Sequence, residues 1–365
     1  MLFLTLSSLF VASVSALSAS SIDSCPTLEP RSQAPTNVSD LRPDDIKVIA
    51  AMGDSIMAGA LMMGTDGPPI IGALTEYRGE SYAIGGNQGA TTIAKFVQRY
   101  SPTVKGASIG QRIGSTCGND PECSSTTIYR PLRDRLNGAI SGAVARNLDR
   151  ELDYLIPRMK DMLGANFENH WKLITIQIGS NDQCASCAQG DVSDYSVEKY
   201  GEYVSAAVDR IKQNVPRVIV NILGVFNVSQ VYTLTQSVQD QQNSTLLNRQ
   251  MCGCFQGDDT NRTHMDTLVN GYNDKLVEIY NKYSTENDPN FAVLYQPANI
   301  DILGFPIEAL NNIDYFHPSK ITHQWIAKRL WGDLFVPSAN KTGTWEFDAN
   351  QSIYCPTEDD RIRLD

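Results

Sequence analysis

The first residue able to do chemistry is a serine between a β-prone run and a helix-prone one. Ile46, Val48, Ile49, Ala50 and Ala51 are followed by Gly53-Asp54-Ser55, then by Ile56, Met57, Ala58, Gly59 and Ala60. A strand stopped by glycine puts Ser55 at the strand's C-terminal end, where ligands sit in an open α/β sheet. The start of the following helix would offer free N–H groups to a developing anion. Such a serine is a nucleophile only if the chain also supplies a base and oxyanion donors.

The base must come from four histidines. His317 has the best setting, in Asp314-Tyr315-Phe316-His317-Pro318-Ser319 after the last expected strand. An aspartate three positions upstream in a loop can hold the imidazole Nδ1–H and turn Nε2 toward a serine. His323 falls on an expected helix and reads as structural, His264 lies beside a glycosylation sequon, and His170 precedes a strand. Asn181, in Gly179-Ser180-Asn181-Asp182, follows the central strand and can donate its amide to an oxyanion. The same four residues are also ordinary turn formers. In Asn137-Gly138-Ala139-Ile140-Ser141-Gly142-Ala143, Gly142 allows a backbone N–H to approach a ligand. Close helix packing accounts for that glycine equally well.

The elements that must position these groups alternate. Expected strands cover Ile46 to Ala51, Ser81 to Ile84, Leu173 to Ile178, Val218 to Leu223 and Phe291 to Tyr295. Between them lie helical periodicities: one beginning at Ala143 and running through Leu148 and Leu152 to Leu163, stopped by Gly164 and kinked or split by Pro157; Val197 to Ile211; Leu268 to Tyr283; and a last helix from near Pro318 carrying Ile321, Trp325, Ile326 and Leu330. Gly64 to Pro69 reads as a loop and residues 105–130 as an irregular, cysteine-stapled excursion. This alternation predicts a three-layer α/β/α sandwich around a mostly parallel, flavodoxin-like sheet. No repeat or low-complexity block divides it. The expected organisation is a signal peptide over 1–16, a Ser-, Pro- and Asp-rich surface strap over 17–44, one catalytic domain over 45–356 and a polar tail over 357–365.

Composition narrows the setting. The 365 residues are 42% hydrophobic and 19% charged, with a net charge of −11 and a pI near 4.9. An acidic chain without basic clusters argues against nucleic acid and against docking on anionic membranes. The apolar run Met1 to Ala16 reads as a signal peptide cleaved after Ala16 or Ala19, although it lacks an early positive charge. No later segment is long enough to span a bilayer, and the DDRIRLD ending is too polar for a lipid-anchor signal. The mature chain is expected to be secreted, soluble and monomeric, with a lysosomal or luminal destination as the alternative. Sequons at Asn37, Asn227, Asn243, Asn261, Asn340 and Asn350 are glycosylation candidates. Eight cysteines in an oxidising compartment favour disulfides over zinc. The expected pairs are Cys117–Cys123, Cys184–Cys187, Cys252–Cys254 and a terminal clasp Cys25–Cys355.

Gly53-Asp54-Ser55, Gly142, Asn181 within G-x-N-D, and Asp314-x-x-His317 occur in the order found in the GDSL/SGNH hydrolase superfamily. RGESYAIGG (78–86), HWKLITIQIGSNDQCASC (170–187), CGC (252–254), DYFHPS (314–319) and Cys355-Pro356 resemble its animal phospholipase B branch. The similarity runs over roughly 45–356. Ile56 stands where the name-giving motif has leucine. The resemblance implies Ser55 as nucleophile, His317 as general base and then acid, and Asp314 as its orienter. It implies an oxyanion hole from the N–H groups of Ser55 and Gly142 with the Asn181 amide. The implied substrate is a phospholipid or lysophospholipid, with no metal or cofactor. An esterase on acetylated carbohydrate or short-chain esters, and a non-catalytic lipid-binding relative, are the rival readings.

Overall fold

The computed structural model describes residues 17–67, 75–114, 117, 129–190, 192–242 and 247–365. The expected signal peptide, Cys123 and Asn243 lie outside the described residues, as does half of the 105–130 excursion.

Four strands form one parallel sheet: β1 (Ile46–Gly53), β2 (Trp171–Gln177), β3 (Val218–Leu223) and β4 (Phe291–Gln296), ordered β1-β2-β3-β4. Their residues alternate between two cores. Ile49, Ala51, Leu173, Ile219 and Leu294 face one side, packing with Phe96, Trp325 and Trp331. Val48, Ala50, Met52, Ile174, Val220 and Val293 face the other, packing with Leu152, Val204 and Leu276. Period-two alternation between two apolar layers buries both faces.

The helices that matter below are α1 (Ser55–Ala58), α2 (Ile93–Tyr100), α3 (Leu148–Leu163), α4 (Ser180–Ala185), α5 (Val197–Asn214), α6 (Ser229–Gln242), α7 (Asp259–Ser284) and α8 (Lys320–Asp333). Helices α2 and α8 cover the first face, and α3, α5 and α7 the second. Pro157 does not split α3. The carbonyl it leaves without an N–H belongs to Asp153, and both residues are exposed, so water can serve that group.

Ser81 to Ile84 is a turn, not a strand: Gly85 N–H returns to Ser81 O at 2.8 Å, while Tyr82, Ala83 and Ile84 are buried by packing. The free edge of β1 is instead covered by two irregular segments. Ile49 N–H donates to Lys105 O at 2.9 Å and Ala51 N–H to Leu136 O at 3.0 Å. Gly138 and Ile140 N–H groups return to Ala51 O and Gly53 O at 2.8 and 2.9 Å. This satisfies a strand edge without lengthening the sheet.

The strap and tail are joined. Ser18–Ala19 pairs antiparallel with Ile353–Tyr354, and Cys25 is bonded to Cys355. The segment 357–365 is packed down: Ile362 is buried, its N–H donating to Leu41 O at 2.8 Å, and Arg361 pairs with Asp40 at 2.8 Å. Two expected disulfides are wrong. Cys184 pairs with Cys252 and Cys187 with Cys254, at Cα separations of 4.5 and 5.1 Å. The C-x-x-C and C-x-C segments face each other, so each cysteine meets its partner across the gap and not along its own segment. Two such segments lying side by side form a two-rung ladder instead. Cys117 is disulfide-bonded as well.

Candidate active site

β1 delivers Ser55 through a turn that only glycine can make. Gly53 has φ +145, and a Cβ there would fall 2.0 Å from Gln177 O on β2. Asp54 caps α1, its Oδ1 accepting from Ile56 N–H at 2.9 Å. The helix is one turn long and ends at Gly59 in the left-handed region (φ +72). With so short a helix, the N–H of Ser55, at its first position and without an acceptor among the described residues, matters more than any macrodipole. Behind the turn, the buried Glu151 of α3 accepts Gly53 N–H at 2.8 Å.

His317 arrives by a different route, on a loop 21 residues beyond the end of β4. Asn311 organises that loop. Its Oδ1 accepts from the N–H groups of Ile313 and Asp314 at 2.9 and 3.1 Å, and its Nδ2 donates to Asp314 Oδ1 at 2.7 Å and His317 O at 3.0 Å. Phe316 and His317 N–H groups add 2.8 and 3.1 Å bonds to the same Oδ1. Asp314 Oδ2 is thereby left for His317 Nδ1 at 2.6 Å, and His317 Nε2 lies 2.7 Å from Ser55 Oγ. Asn311 was not singled out from sequence, although an asparagine three positions before the aspartate is a recognisable turn signature.

The third side comes from the segment along the β1 edge. Buried Arg78, 2.8 Å from Glu76, also donates to the carbonyls of Asn137 (3.1 Å) and Ala139. Ser141 Oγ donates to Glu76 at 2.7 Å. Gly142 follows at φ +82, a conformation that favours glycine, and among the described residues no acceptor takes its N–H. Asn181, on the second residue of α4, donates its Nδ2 to Ala143 O at 2.9 Å. Asp182, also missed from sequence, accepts Ala145 N–H on both oxygens at 3.0 and 3.1 Å. These bonds tie the Gly142 loop to the end of β2. Gly142 and Asn181 line one cleft together.

The electrostatics follow from burial and neighbours. Burial alone would lower the His317 pKa, but the charge and hydrogen bond of Asp314, with the charge of Asp54, outweigh it and hold it above 6.5. Burial pushes Asp314 up, yet His317 and two backbone N–H groups bring it below its ordinary range. Asp54 is raised by burial to about 6 and Asp182 to about 7, each opposed by backbone N–H bonds. A serine hydroxyl, an imidazole with a raised pKa and an ionised carboxylate in hydrogen-bonded series can activate the hydroxyl as a nucleophile.

The model of the GDSL-like lipase/acylhydrolase family matches residues 49–330. The chain belongs to that family. Among curated relatives it is 31% identical over 348 residues to the mouse protein named phospholipase B1, membrane-associated, covering 92% of this chain and 22% of that one. The rat and human proteins of that name match at 31% and 28% identity, again over 92% of this chain and 23% of theirs. The chain thus spans less than a quarter of the length of these relatives.

Two clefts in this family member are lined by site residues or their chain neighbours. One is apolar, lined by Ile56, Phe226, Val231, Phe305, Phe316 and Ile326 among others. The other holds Gly142 and Asn181. Met57 and Met62 are core residues, while Met63 lines a separate groove beside Asn311 and Asn312. His323 is buried in α8, its pKa depressed to about 3 by burial and by the charge of His317. Among the described residues, no cluster of three His, Cys, Asp or Glu side chains could hold a metal, and no helix is long and apolar enough to cross a membrane.

Proposed function

We propose that this chain is a secreted carboxylic ester hydrolase of phospholipase B or lysophospholipase type. One observation carries the reading: Ser55 Oγ, His317 and Asp314 stand in hydrogen-bonded line, and their chain neighbours Ile56, Phe316 and Pro318 line an apolar cleft. Ile56 follows the serine and Phe316 and Pro318 flank the histidine, so the wall of that cleft belongs to the same two loops as the reacting groups. Hydrocarbon is the ligand chemistry such a wall recognises.

In the proposed reaction Ser55 Oγ attacks the ester carbonyl carbon as its proton passes to His317 Nε2. Asp314 stabilises the imidazolium without taking the proton. The tetrahedral oxyanion accepts hydrogen bonds from the N–H groups of Ser55 and Gly142 and from Asn181 Nδ2. Collapse expels the alcohol, which takes the proton from His317, and leaves an acyl-Ser55. A water deprotonated by His317 then attacks the acyl carbon, releasing fatty acid and restoring Ser55. The scheme calls for no metal or cofactor. The names of the relatives support a phospholipid or lysophospholipid substrate, and the disulfides support an oxidising, extracellular or luminal setting. We take 45–356 as the catalytic domain and the monomer as the working unit.

A second reading has its own support. The open space in the apolar cleft is about 40 Å³, room for a short acyl group without movement of the lining. A fluorophosphonate probe should label Ser55, with Ser55→Ala as the unlabelled control. Fatty acid release from lysophosphatidylcholine, compared with acetate release from a nitrophenyl ester, then separates the two readings. Absence of label on the intact chain would reject both in favour of a non-catalytic lipid binder.

A further inference from the structure

The second cleft, about 270 Å³, mixes polar and apolar lining, where the first is almost wholly apolar. Consecutive residues divide them: Ser180 lines the apolar cleft and Asn181 the mixed one. An ester bound at Ser55 has two arms. If the acyl arm enters the apolar cleft, the alcohol arm has the mixed cleft, with its polar groups, to occupy.

Among the described residues lining that cleft, Arg146 alone carries a full charge. This is notable in a chain of net charge −11, where a surface side chain is more often acidic. Arg146 lies four residues beyond Gly142, on the loop whose Ala145 N–H is clamped by both oxygens of Asp182. Its guanidinium is therefore held in the same frame as the expected oxyanion donors. Asp194 pairs with one of its terminal nitrogens and is itself held by Tyr203 Oη at 2.8 Å. The Arg146 Nε has no partner among the described residues. A guanidinium fixed by one carboxylate keeps other N–H donors, in a planar fork that suits phosphate oxygens.

We propose that Arg146 binds the phosphodiester of a lysophospholipid in the alcohol half of the site, while the apolar cleft takes the acyl chain. Arg146 thereby selects phospholipid over neutral glyceride. The proposal rests on the phospholipase reading and adds a specificity-determining residue to it. A purely structural Arg146–Asp194 ion pair would affect all substrates alike.

The test uses the full chain and two esters with the same short acyl group: a lysophosphatidylcholine below its micellar concentration, and a monoacylglycerol. Arg146→Gln is expected to lower kcat/KM on the lysophospholipid about tenfold or more, mainly through KM, the size of a lost charged hydrogen bond. On the monoacylglycerol the change should stay within about twofold. Arg146→Lys, which keeps the charge without the fork, should recover part of the loss. Equal losses on the two esters, or an indifferent Arg146→Gln variant of an enzyme that cleaves lysophosphatidylcholine, would overturn the role of Arg146 alone. A wild-type chain that cleaves the monoacylglycerol but not the lysophospholipid would overturn the phospholipase reading along with it.

Discussion

The serine side and the histidine side of this site are built on different principles. Ser55 and Asn181 sit one or two residues into helices that begin directly after adjacent parallel strands, β1 and β2. Their separation is set by strand pairing, in which Gly53 lies opposite Gln177. His317 has no strand behind it. Its loop is held by side-chain hydrogen bonds that converge on Asn311 and Asp314, with a few main-chain bonds such as Asn311 N–H to His317 O at 3.0 Å beside them. A sheet places a group by a lattice of main-chain bonds, so no single side chain is needed for the placement. A loop places a group through a few polar contacts, each of which can be removed. The two sides should therefore answer mutation differently.

The largest expected effect is on the loop side. Asp314→Asn should lower kcat by ~10⁴, because an amide cannot hold the imidazole in the productive tautomer with a charge behind it. A loss under tenfold in a steady-state ester assay would mean that Asp314 is not the orienting carboxylate. On the strand side, Asn181→Ala should cost ~10²–10³ in kcat, the usual price of an oxyanion donor. Its melting temperature should fall only by what the single bond to Ala143 O contributes, since the backbone around it is fixed by the sheet. A drop larger than one hydrogen bond explains would make Asn181 chiefly a structural residue.

Asn311→Ala sharpens the contrast. It removes the acceptor of two backbone N–H groups and a donor to Asp314, so stability should fall by ~1–3 kcal/mol in denaturant unfolding. We also expect ~10–10²-fold in kcat from the loosened imidazole. If turnover survived intact, the loop would be rigid without its polar contacts, and the contrast between the sides would collapse.

The smallest effect concerns pH. His317 must be neutral to accept the Ser55 proton, and its pKa is raised above 6.5. Hence kcat/KM should fall as pH drops through a midpoint above 6.5. Asp54, largely ionised above about pH 6, helps to raise it. Asp54→Asn can keep the cap on Ile56 while removing that charge, so the acid limb should move to lower pH. A limb that stayed in place would show that Asp54 is electrically remote from the imidazole.

Much of the frame was legible because it is local or periodic. The run Ile46 to Ala51 and the Gly53-Asp54-Ser55 stop announce a strand and its end, and Leu173 to Gln177 with Gly179 does the same. The failures were non-local. Ser81 to Ile84 is apolar enough for a strand, yet its burial comes from packing around a turn. The cysteine ladder depends on which segments lie side by side, a fact that spacing within one segment does not contain.

From the amino-acid sequence alone came the strand-to-turn positions of Ser55 and Asn181 and the pairing of an aspartate with His317, since each depends on residues a few places apart. The tertiary structure alone decided that His317 Nε2 meets Ser55 Oγ across 262 positions of chain. It also decided that Arg78 and Glu76 hold the Gly142 segment, and that one cleft is apolar while its neighbour holds Arg146. The reason is physical. Local hydrogen bonding selects a turn from its own residues, whereas a cavity and its charge belong to surfaces that meet only after the layers have packed.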